Sequence, residues 1–247
     1  MIQKYILFLA CILVFACTND TKVETTQVTT SSPKVTESPA TDKPAATKNS
    51  RFESNRKSPI QKTRKPRLVF FGNSLAAGYG LPNPQDGFVG LLAQRILGAG
   101  INYQVENGGL SGETTAGGLE RIDWYLKRPL DIIVIELGGN DGLRGIDPAS
   151  TKQNLQGIIN KVRASSPEAK IVLAGMEAPP NMGETFTSNF RKLYKELATE
   201  NDVRLIPFLL EGVAGEPKLN LPDGIHPNPE GHRKVANNVW HYIQNLL

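Results

Sequence analysis

Hydrophobic residues from Arg67 onward alternate between short continuous runs and runs with helical spacing. Five continuous runs predict strands that are buried on both faces: Leu68–Phe71, Ile101–Val105, Ile132–Leu137, Ile171–Ala174 and Val203–Ile206. Five sets of apolar residues three or four positions apart each predict a helix: Val89/Leu92/Ile96, Leu119/Ile122/Leu126, Leu155/Ile158/Val162, Phe186/Phe190/Leu193/Leu197 and Val235/Val239/Ile243/Leu246. This alternation predicts a three-layer α/β/α domain with a five-stranded parallel sheet over residues 67–247.

The first residues of the chain follow a different pattern. Lys4 precedes the apolar segment Tyr5–Ala16, which is too short to cross a bilayer comfortably and fits the core of a signal peptide. The segment ends in Val-Phe-Ala-Cys17, which resembles a bacterial lipobox, whose cysteine is lipidated and becomes N-terminal after cleavage. We therefore expect residues 1–16 to be a lipoprotein signal peptide. Cys17 would then anchor the protein to a membrane of the bacterial cell envelope, at the outer membrane or the cell surface. An uncleaved anchor or an ordinary signal peptide is the alternative.

Residues 17–66 consist mainly of Thr, Ser, Pro and Lys, with almost no large apolar side chains. Such a segment buries too little surface to offset its ordering entropy, and we predict a disordered tether. Residues 18–66 carry ten Lys and Arg against five Asp and Glu, whereas residues 67–247 carry 17 against 19. The net charge of +4 therefore belongs to the tether. We accordingly predict no nucleic-acid partner for the domain.

The domain lacks the sequence patterns that hold metals and cofactors. Cys11 and Cys17 are the only cysteines, so residues 67–247 form neither a disulfide nor a thiolate metal site. The sequence has no H-E-x-x-H motif, no G-x-G-x-x-G after a strand and no phosphate-binding P-loop. We predict no metal and no cofactor. The missing phosphate-binding motifs also count against a module that binds a nucleotide or a flavin.

A serine and a histidine occupy positions that suit nucleophilic catalysis. Ser74 lies at the carboxyl end of the first predicted strand, where open α/β sheets bind their ligands. Asp223 precedes His226 by three residues, a spacing that lets the carboxylate bind the imidazole Nδ1 and leave Nε2 for the serine. His232 and His241 have no such partner pattern, and we expect them to face solvent or pack locally.

Two further strand ends offer donors for a developing oxyanion. Gly112 follows the second predicted strand and can present its N–H without a side chain in the way. Asn140 follows the third and can donate from its amide, and the Ser74 N–H is a third donor. Taken one at a time, these residues have another interpretation: the glycines only permit turns and Asn140 only caps one.

Four segments carry a resemblance to a known family: Gly72-Asn-Ser-Leu, Ser111-Gly-Glu-Thr, Gly138-Gly-Asn-Asp and Asp223-Gly-Ile-His-Pro. They resemble, in order, the motif blocks of the SGNH (GDSL-type) hydrolases, and the resemblance covers nearly all of residues 67–247. The segment Leu137–Gly145 is most similar to the thioesterase I, lysophospholipase and arylesterase branch. The resemblance implies a flavodoxin-like fold, a catalytic triad of Ser74, Asp223 and His226, and an oxyanion hole formed by Ser74, Gly112 and Asn140.

One position departs from the family pattern. Asn73 stands where the family usually has Asp, so the shape and one acceptor are kept but the charge is lost. This difference leaves the nucleophile assignment intact and bears on activity and its pH dependence.

We therefore predict a serine esterase that hydrolyses aryl esters and short to medium acyl esters, with thioesters and lysophospholipids as further candidates. Its expected partners are a small acyl-ester or lipid substrate and a membrane, reached through the lipid anchor, and the catalytic domain is expected to be monomeric. The alternatives are a carbohydrate O-deacetylase of the same fold and a surface-binding lipoprotein that has lost catalysis. An α/β-hydrolase elbow, G-x-S-x-G, is rejected because Ala76 stands where its second glycine belongs.

Overall fold

A parallel sheet of five strands forms the centre of residues 64–247, the part of the chain that the computed structural model describes. The strands are β1 (Arg67–Gly72), β2 (Gln104–Gly109), β3 (Ile132–Glu136), β4 (Lys170–Ala174) and β5 (Arg204–Ile206). Their order is β2-β1-β3-β4-β5, and every neighbouring pair is parallel. The predicted α/β fold with a five-stranded parallel sheet is confirmed.

Helices alternate with the strands and form two groups. Their bounds are α1 Ser74–Ala77, α2 Phe88–Gly98, α3 Thr115–Arg121, α4 Asp123–Leu126, α5 Gly139–Leu143, α6 Pro148–Ser165, α7 Glu184–Asn201 and α8 Pro229–Ile243. Short 3-10 helices cover Pro84–Asp86, Pro180–Met182, Pro217–Leu219 and Gln244–Leu246. Helix α2 packs against α8, whereas α6 packs against both α3 and α7. Because parallel crossovers are right-handed, these groups cover opposite faces of the sheet.

The two central strands explain why the apolar runs predict the fold well. Every residue of β1 and β3 is buried, as expected for strands that have a neighbour on each side and helices on both faces. Phe70 packs edge-on against Phe88 of α2, and Phe71 packs edge-on against Tyr125 of α4. Burial of each of the three phenylalanine side chains contributes about 1.5–3 kcal/mol relative to leaving it exposed.

Strand β2 differs from the prediction because it lies at the edge of the sheet. The apolar run predicts a strand over Ile101–Val105, but the strand spans Gln104–Gly109 and is mostly polar and partly exposed. Ile101 and Tyr103 instead pack against the core just before the strand begins. An edge strand has a neighbour on one side only, so it does not need a continuous apolar sequence.

The helix predicted around Leu119, Ile122 and Leu126 is divided in two. Helices α3 and α4 meet at Ile122, whose side chain is fully buried. The final helix is also shorter than its apolar spacing predicts, since α8 ends at Ile243 and a 3-10 turn continues to Leu246.

The predicted signal peptide, Cys17 and residues 17–63 of the predicted tether lie outside the described residues. The last three residues of the predicted tether are described, and Arg64 forms two hydrogen bonds with Asp131, at 2.6 and 2.9 Å. A residue three positions before Arg67 thus contacts the domain. Within residues 64–247, no helix combines the length and the apolar character needed to cross a membrane.

Candidate active site

The candidate site lies at the carboxyl end of the sheet, where β1 is flanked by β2 on one side and β3 on the other. This is the switch point of the strand order, the usual ligand position in open α/β folds. Strand β1 runs directly into α1, so Ser74 is the first residue of that helix. Asn73 caps the helix, since its Oδ1 accepts a hydrogen bond from the Leu75 N–H at 3.0 Å.

Ser74, His226 and Asp223 form a continuous hydrogen-bonded chain. The Ser74 Oγ lies 2.9 Å from the His226 Nε2, and the His226 Nδ1 lies 2.7 Å from the Asp223 Oδ2. The other Asp223 oxygen accepts hydrogen bonds from the backbone N–H groups of Ile225 and His226, at 2.9 and 3.0 Å. Gly224 has a φ of 70°, which permits the tight turn between them.

The hydrogen bonds to Asp223 determine its protonation state. The backbone N–H of His226, its imidazole and the backbone N–H of Ile225 lower the pKa of the Asp223 carboxyl to about 2. Asp223 is therefore a carboxylate at neutral pH and accepts a hydrogen bond from the His226 Nδ1–H. In that tautomer the Nε2 can accept the proton of the Ser74 hydroxyl, the arrangement that activates a serine nucleophile.

The three predicted oxyanion donors come from three segments: the start of α1 (Ser74), the loop after β2 (Gly112) and the first turn of α5 (Asn140). The Asn140 amide donates to the Glu113 carbonyl at 3.0 Å, and Arg144 donates to the Gly112 carbonyl at 2.9 Å. The loop around Gly112 is thus tied to α5 at both points. Within residues 64–247, the N–H groups of Ser74 and Gly112 make no hydrogen bond, so both are available to a ligand.

Comparison with known proteins gives the site its family. A sequence profile described as the GDSL-like Lipase/Acylhydrolase family matches residues 70–234, which include all four motif segments. The chain belongs to this GDSL-like hydrolase family. The resemblance to the SGNH hydrolases is therefore confirmed.

Curated relatives and a solved structure extend this result. The GDSL-like chain is 40% identical to "Esterase TesA" of Pseudomonas aeruginosa over 76% of its own length and 92% of that protein. It is 35% identical to "Thioesterase 1/protease 1/lysophospholipase L1" of Escherichia coli K12, over 73% and 84% respectively. A crystal structure of TesA aligns with a TM-score of 0.70 and 40% identity, covering 73% of this chain and 99% of that one. Because these relatives are named as an esterase and as a thioesterase and lysophospholipase, the chain is an ester hydrolase.

Tyr79 lies next to His226, a contact that the sequence did not predict. Its ring centroid lies 4.6 Å from that of His226, and the two rings are tilted by 44°. The Tyr79 N–H donates to the Ser74 carbonyl at 3.0 Å, which fixes the start of the segment after α1. Tyr79 therefore packs against one face of the imidazole. Its position five residues after Ser74 gave no signal, because the contact arises only when the chain folds back past Gly78.

Asp141 is a second missed residue of the GDSL-like site. Its buried carboxyl accepts hydrogen bonds from the N–H and hydroxyl of Thr115, and from the hydroxyl of Thr151 at 3.3 Å. It thereby joins α5 to the beginning of α3 and to α6. The available signal was its place directly after Asn140 in the third motif segment.

Gly138 is required by close packing. It has a φ of 110°, and a side chain there would collide with the Tyr194 hydroxyl, which donates to the Leu137 carbonyl at 3.0 Å. This contact fixes the turn from which Asn140 projects, so Gly138 does more than permit a bend.

The remaining histidines are not part of the hydrogen-bonded chain of Ser74, His226 and Asp223. His232 is buried, stacks on the Phe88 ring and accepts a hydrogen bond from the Phe88 N–H at 3.2 Å. Burial lowers the pKa of His232 to about 4, so its imidazole is neutral at physiological pH. His241 is exposed on α8, against Tyr242. Both positions agree with local packing or solvent exposure.

Proposed function

We propose that this hydrolase cleaves apolar acyl esters through Ser74, with His226 as the general base and Asp223 as the carboxylate that orients it. The observation that carries the proposal is the chain of hydrogen bonds from Ser74 to His226 and on to Asp223, at 2.9 and 2.7 Å. Ser74 attacks the acyl carbonyl while its proton passes to the His226 Nε2. The leaving alcohol then takes that proton, and a water molecule, activated by the same base, releases the acyl group from Ser74.

The proposed oxyanion hole consists of the N–H groups of Ser74 and Gly112 and the Asn140 amide. One Asn140 amide hydrogen is donated to the Glu113 carbonyl, which holds the side chain and leaves its second hydrogen for the substrate. Donors that are fixed before the reaction stabilise the developing charge without reorganising.

The surface around the triad supports an apolar substrate. Six large hydrophobic side chains are exposed in the described part of the chain, and four belong to segments that carry site residues. Tyr79 contacts His226 and Ile225 precedes it, whereas Leu110 and Leu143 lie next to the loops of Gly112 and Asn140. Exposed hydrophobic residues in the segments that carry the site residues offer apolar surface to a ligand, and they favour an acyl or aryl group over an acetylated sugar.

A series of p-nitrophenyl esters tests the substrate class. We expect the purified chain to hydrolyse esters from acetate to palmitate, with kcat/KM rising from acetate to medium chains as more of the apolar surface is covered. A serine-directed phosphonate should inhibit the enzyme and add its mass to the peptide that contains Ser74. Hydrolysis of acetylated sugars alone would instead favour a deacetylase, and no reaction with esters or phosphonate would indicate a protein that has lost catalysis.

Removal of the Asn140 amide tests the proposed oxyanion hole. Asn140→Ala is expected to lower kcat by about 10²–10³ with little change in KM, because the donor acts mainly on the transition state. Steady-state kinetics on the best ester measures this effect. Asn160→Ala, at an exposed position on α6, is the matched control and should behave like the wild type. A change below threefold in Asn140→Ala would remove Asn140 from the hole.

The membrane anchor and the location remain proposals from the sequence. We propose that Cys17 is lipidated and holds the enzyme in the bacterial cell envelope, with residues 17–66 as a tether to the hydrolase domain of residues 67–247. The support is Lys4, the apolar segment Tyr5–Ala16 and the lipobox-like end of that segment. Incorporation of labelled palmitate in a bacterial host should be lost in Cys17→Ser and kept in Cys11→Ser. Equal labelling of both variants would contradict the proposal.

A further inference from the structure

A buried carboxyl group lies directly beneath the turn that carries the proposed nucleophile. Glu136 is the last residue of β3, and its side chain is fully buried. Its Oε2 accepts two hydrogen bonds, from the N–H groups of Asn73 and Ala76, both at 3.1 Å. These two N–H groups lie on either side of Ser74 in the chain. A single oxygen atom therefore holds the turn from both sides.

The turn is shaped to admit this carboxyl. Gly72 pairs with Glu136 across the β1–β3 register, and a side chain at position 72 would collide with the Glu136 Oε2. Position 72 must therefore be glycine for Glu136 to contact the turn that carries Ser74.

The second oxygen of Glu136 differs from the first in its contacts within the described residues. Its Oε1 is buried and makes no hydrogen bond to any of residues 64–247. The guanidinium of Arg121 donates to Glu113 and to the Gly108 carbonyl, the latter at 2.9 Å, and it contacts β1 at the Gly72 carbonyl and over the Phe71 ring. A buried carboxylate without a paired cation is costly, so the geometry favours a neutral carboxyl with its proton on Oε1. Burial accordingly raises the pKa of Glu136 to about 8.

We propose that Glu136 is a positioning residue for Ser74, that its neutral form supports turnover, and that its ionisation slows the enzyme at alkaline pH. The inference rests on the proposed function of Ser74. The neutral carboxyl holds the Asn73 and Ala76 N–H groups and so aims the serine at His226. The ionised carboxyl would add a buried negative charge close to the place where the substrate oxyanion forms, which raises the barrier.

Charged or titratable groups on three other segments lie near Glu136: Glu113 before α3, Tyr194 on α7, and Arg121 on α3, which donates to the carbonyl of Gly72, the β1 partner of Glu136. The Glu113 carboxylate adds to the rise in the Glu136 pKa. The pKa of Tyr194 is raised well above its usual value by burial and by the carboxyls of Asp141 and Glu136, so the phenol stays neutral. Burial acts to lower the pKa of Arg121, but its hydrogen bonds to Glu113 and the charge of that residue outweigh burial and raise the pKa, so Arg121 stays charged.

Two substitutions in the full-length chain separate the hydrogen-bonding role from the charge. Glu136→Gln keeps an oxygen that can accept from both N–H groups but cannot ionise, whereas Glu136→Leu leaves both N–H groups without an acceptor. We expect Glu136→Gln to keep kcat within about threefold of the wild type at pH 7. Glu136→Leu is expected to lose about 10–100-fold in kcat while KM changes less than twofold, since the substrate surface is untouched.

The pH dependence of kcat distinguishes the proposed role from a purely structural one, because a purely structural role would not affect it. The kcat of the wild type should fall with a midpoint near pH 8, and this fall should be absent in Glu136→Gln. Glu120→Gln, at an exposed position on α3, is the matched control and should keep the wild-type profile. The same alkaline fall in Glu136→Gln would overturn the proposed switch. If Glu136→Leu folds and keeps kcat within twofold, the positioning role is also wrong.

Thermal unfolding gives a second test that does not need an active variant. The folded pKa of Glu136 lies above its unfolded value of 4.5, so the folded state holds the extra proton between these values. The stability from this group is complete below the unfolded pKa and is lost as the pH rises through about 8. The Tm of the wild type should therefore fall from pH 5 to 8 relative to that of Glu136→Gln. Parallel Tm profiles would contradict a neutral buried carboxyl.

Failure of this inference differs from failure of the proposed function. If Ser74 is not the nucleophile, the phosphonate will not label it in the wild type at any pH. If only the role of Glu136 is wrong, the wild type will be labelled and active, and the Glu136 variants will match it in kcat and pH profile.

Discussion

Ser74→Ala should lower kcat on a p-nitrophenyl ester by a factor of about 10⁴ or more, while the fold and KM change little. The Ser74 hydroxyl is the group that lies 2.9 Å from the His226 Nε2, and alanine has no atom that could form the acyl-enzyme. What remains is the contribution of the oxyanion donors and of substrate binding, which in other serine hydrolases leaves a residual acceleration over water. Steady-state kinetics and mass spectrometry after phosphonate treatment measure the loss.

The control for this substitution is another serine on the same domain. Ser150→Ala changes an exposed serine in the first turn of α6 and should leave kcat and phosphonate labelling at wild-type levels. A Ser74→Ala enzyme that kept wild-type turnover would show that a different group attacks the ester.

Asp223→Asn has the second largest expected effect, a loss of about 10³–10⁴ in kcat. The asparagine amide would donate to the His226 Nδ1, which places the ring proton on Nε2, where it can no longer accept the serine proton. The wild-type carboxylate is ionised down to about pH 2, so Asp223 contributes no limb to the pH profile at neutral or alkaline pH. The pH dependence of kcat for both enzymes is the measurement.

A matched aspartate controls for the loss of one negative charge. Asp202 is exposed after α7 with a φ of 47°, a conformation that asparagine adopts readily, so Asp202→Asn should be active and folded. Wild-type kcat in Asp223→Asn would mean that the carboxylate does not orient the base.

The sequence predicted the central part of the fold better than its edge. Strands β1 and β3 are buried on both faces, and a continuous apolar run is the signature of such strands. Strand β2 has a neighbour on one side only, so its polar sequence from Gln104 to Gly109 carries little signal. The break between α3 and α4 at Ile122 leaves the apolar spacing intact, and spacing alone could not reveal it.

The residues of the candidate site also differ in how well the sequence predicts them. Ser74 could be found from its place at the end of a predicted strand, and Asp223 and His226 from their three-residue spacing, which has a direct chemical meaning. The structure brings the three together. Tyr79 and Glu136 act through contacts between distant segments, which a linear pattern does not encode. The sequence nevertheless contains a signal for Glu136, because it is the ionisable residue within the run Ile132–Leu137, which is predicted to be buried on both faces.

The direction of β1 has a practical consequence for immobilising the enzyme. The strand begins at Arg67, beside the Arg64–Asp131 contact, and ends just before Ser74. At about 3.3 Å per residue, this places Arg67 roughly 20 Å from Ser74, at the opposite end of the sheet. A bead or electrode coupled through residues before Arg64 would therefore hold the enzyme at the amino ends of the strands, with the proposed active site turned toward the bulk solution.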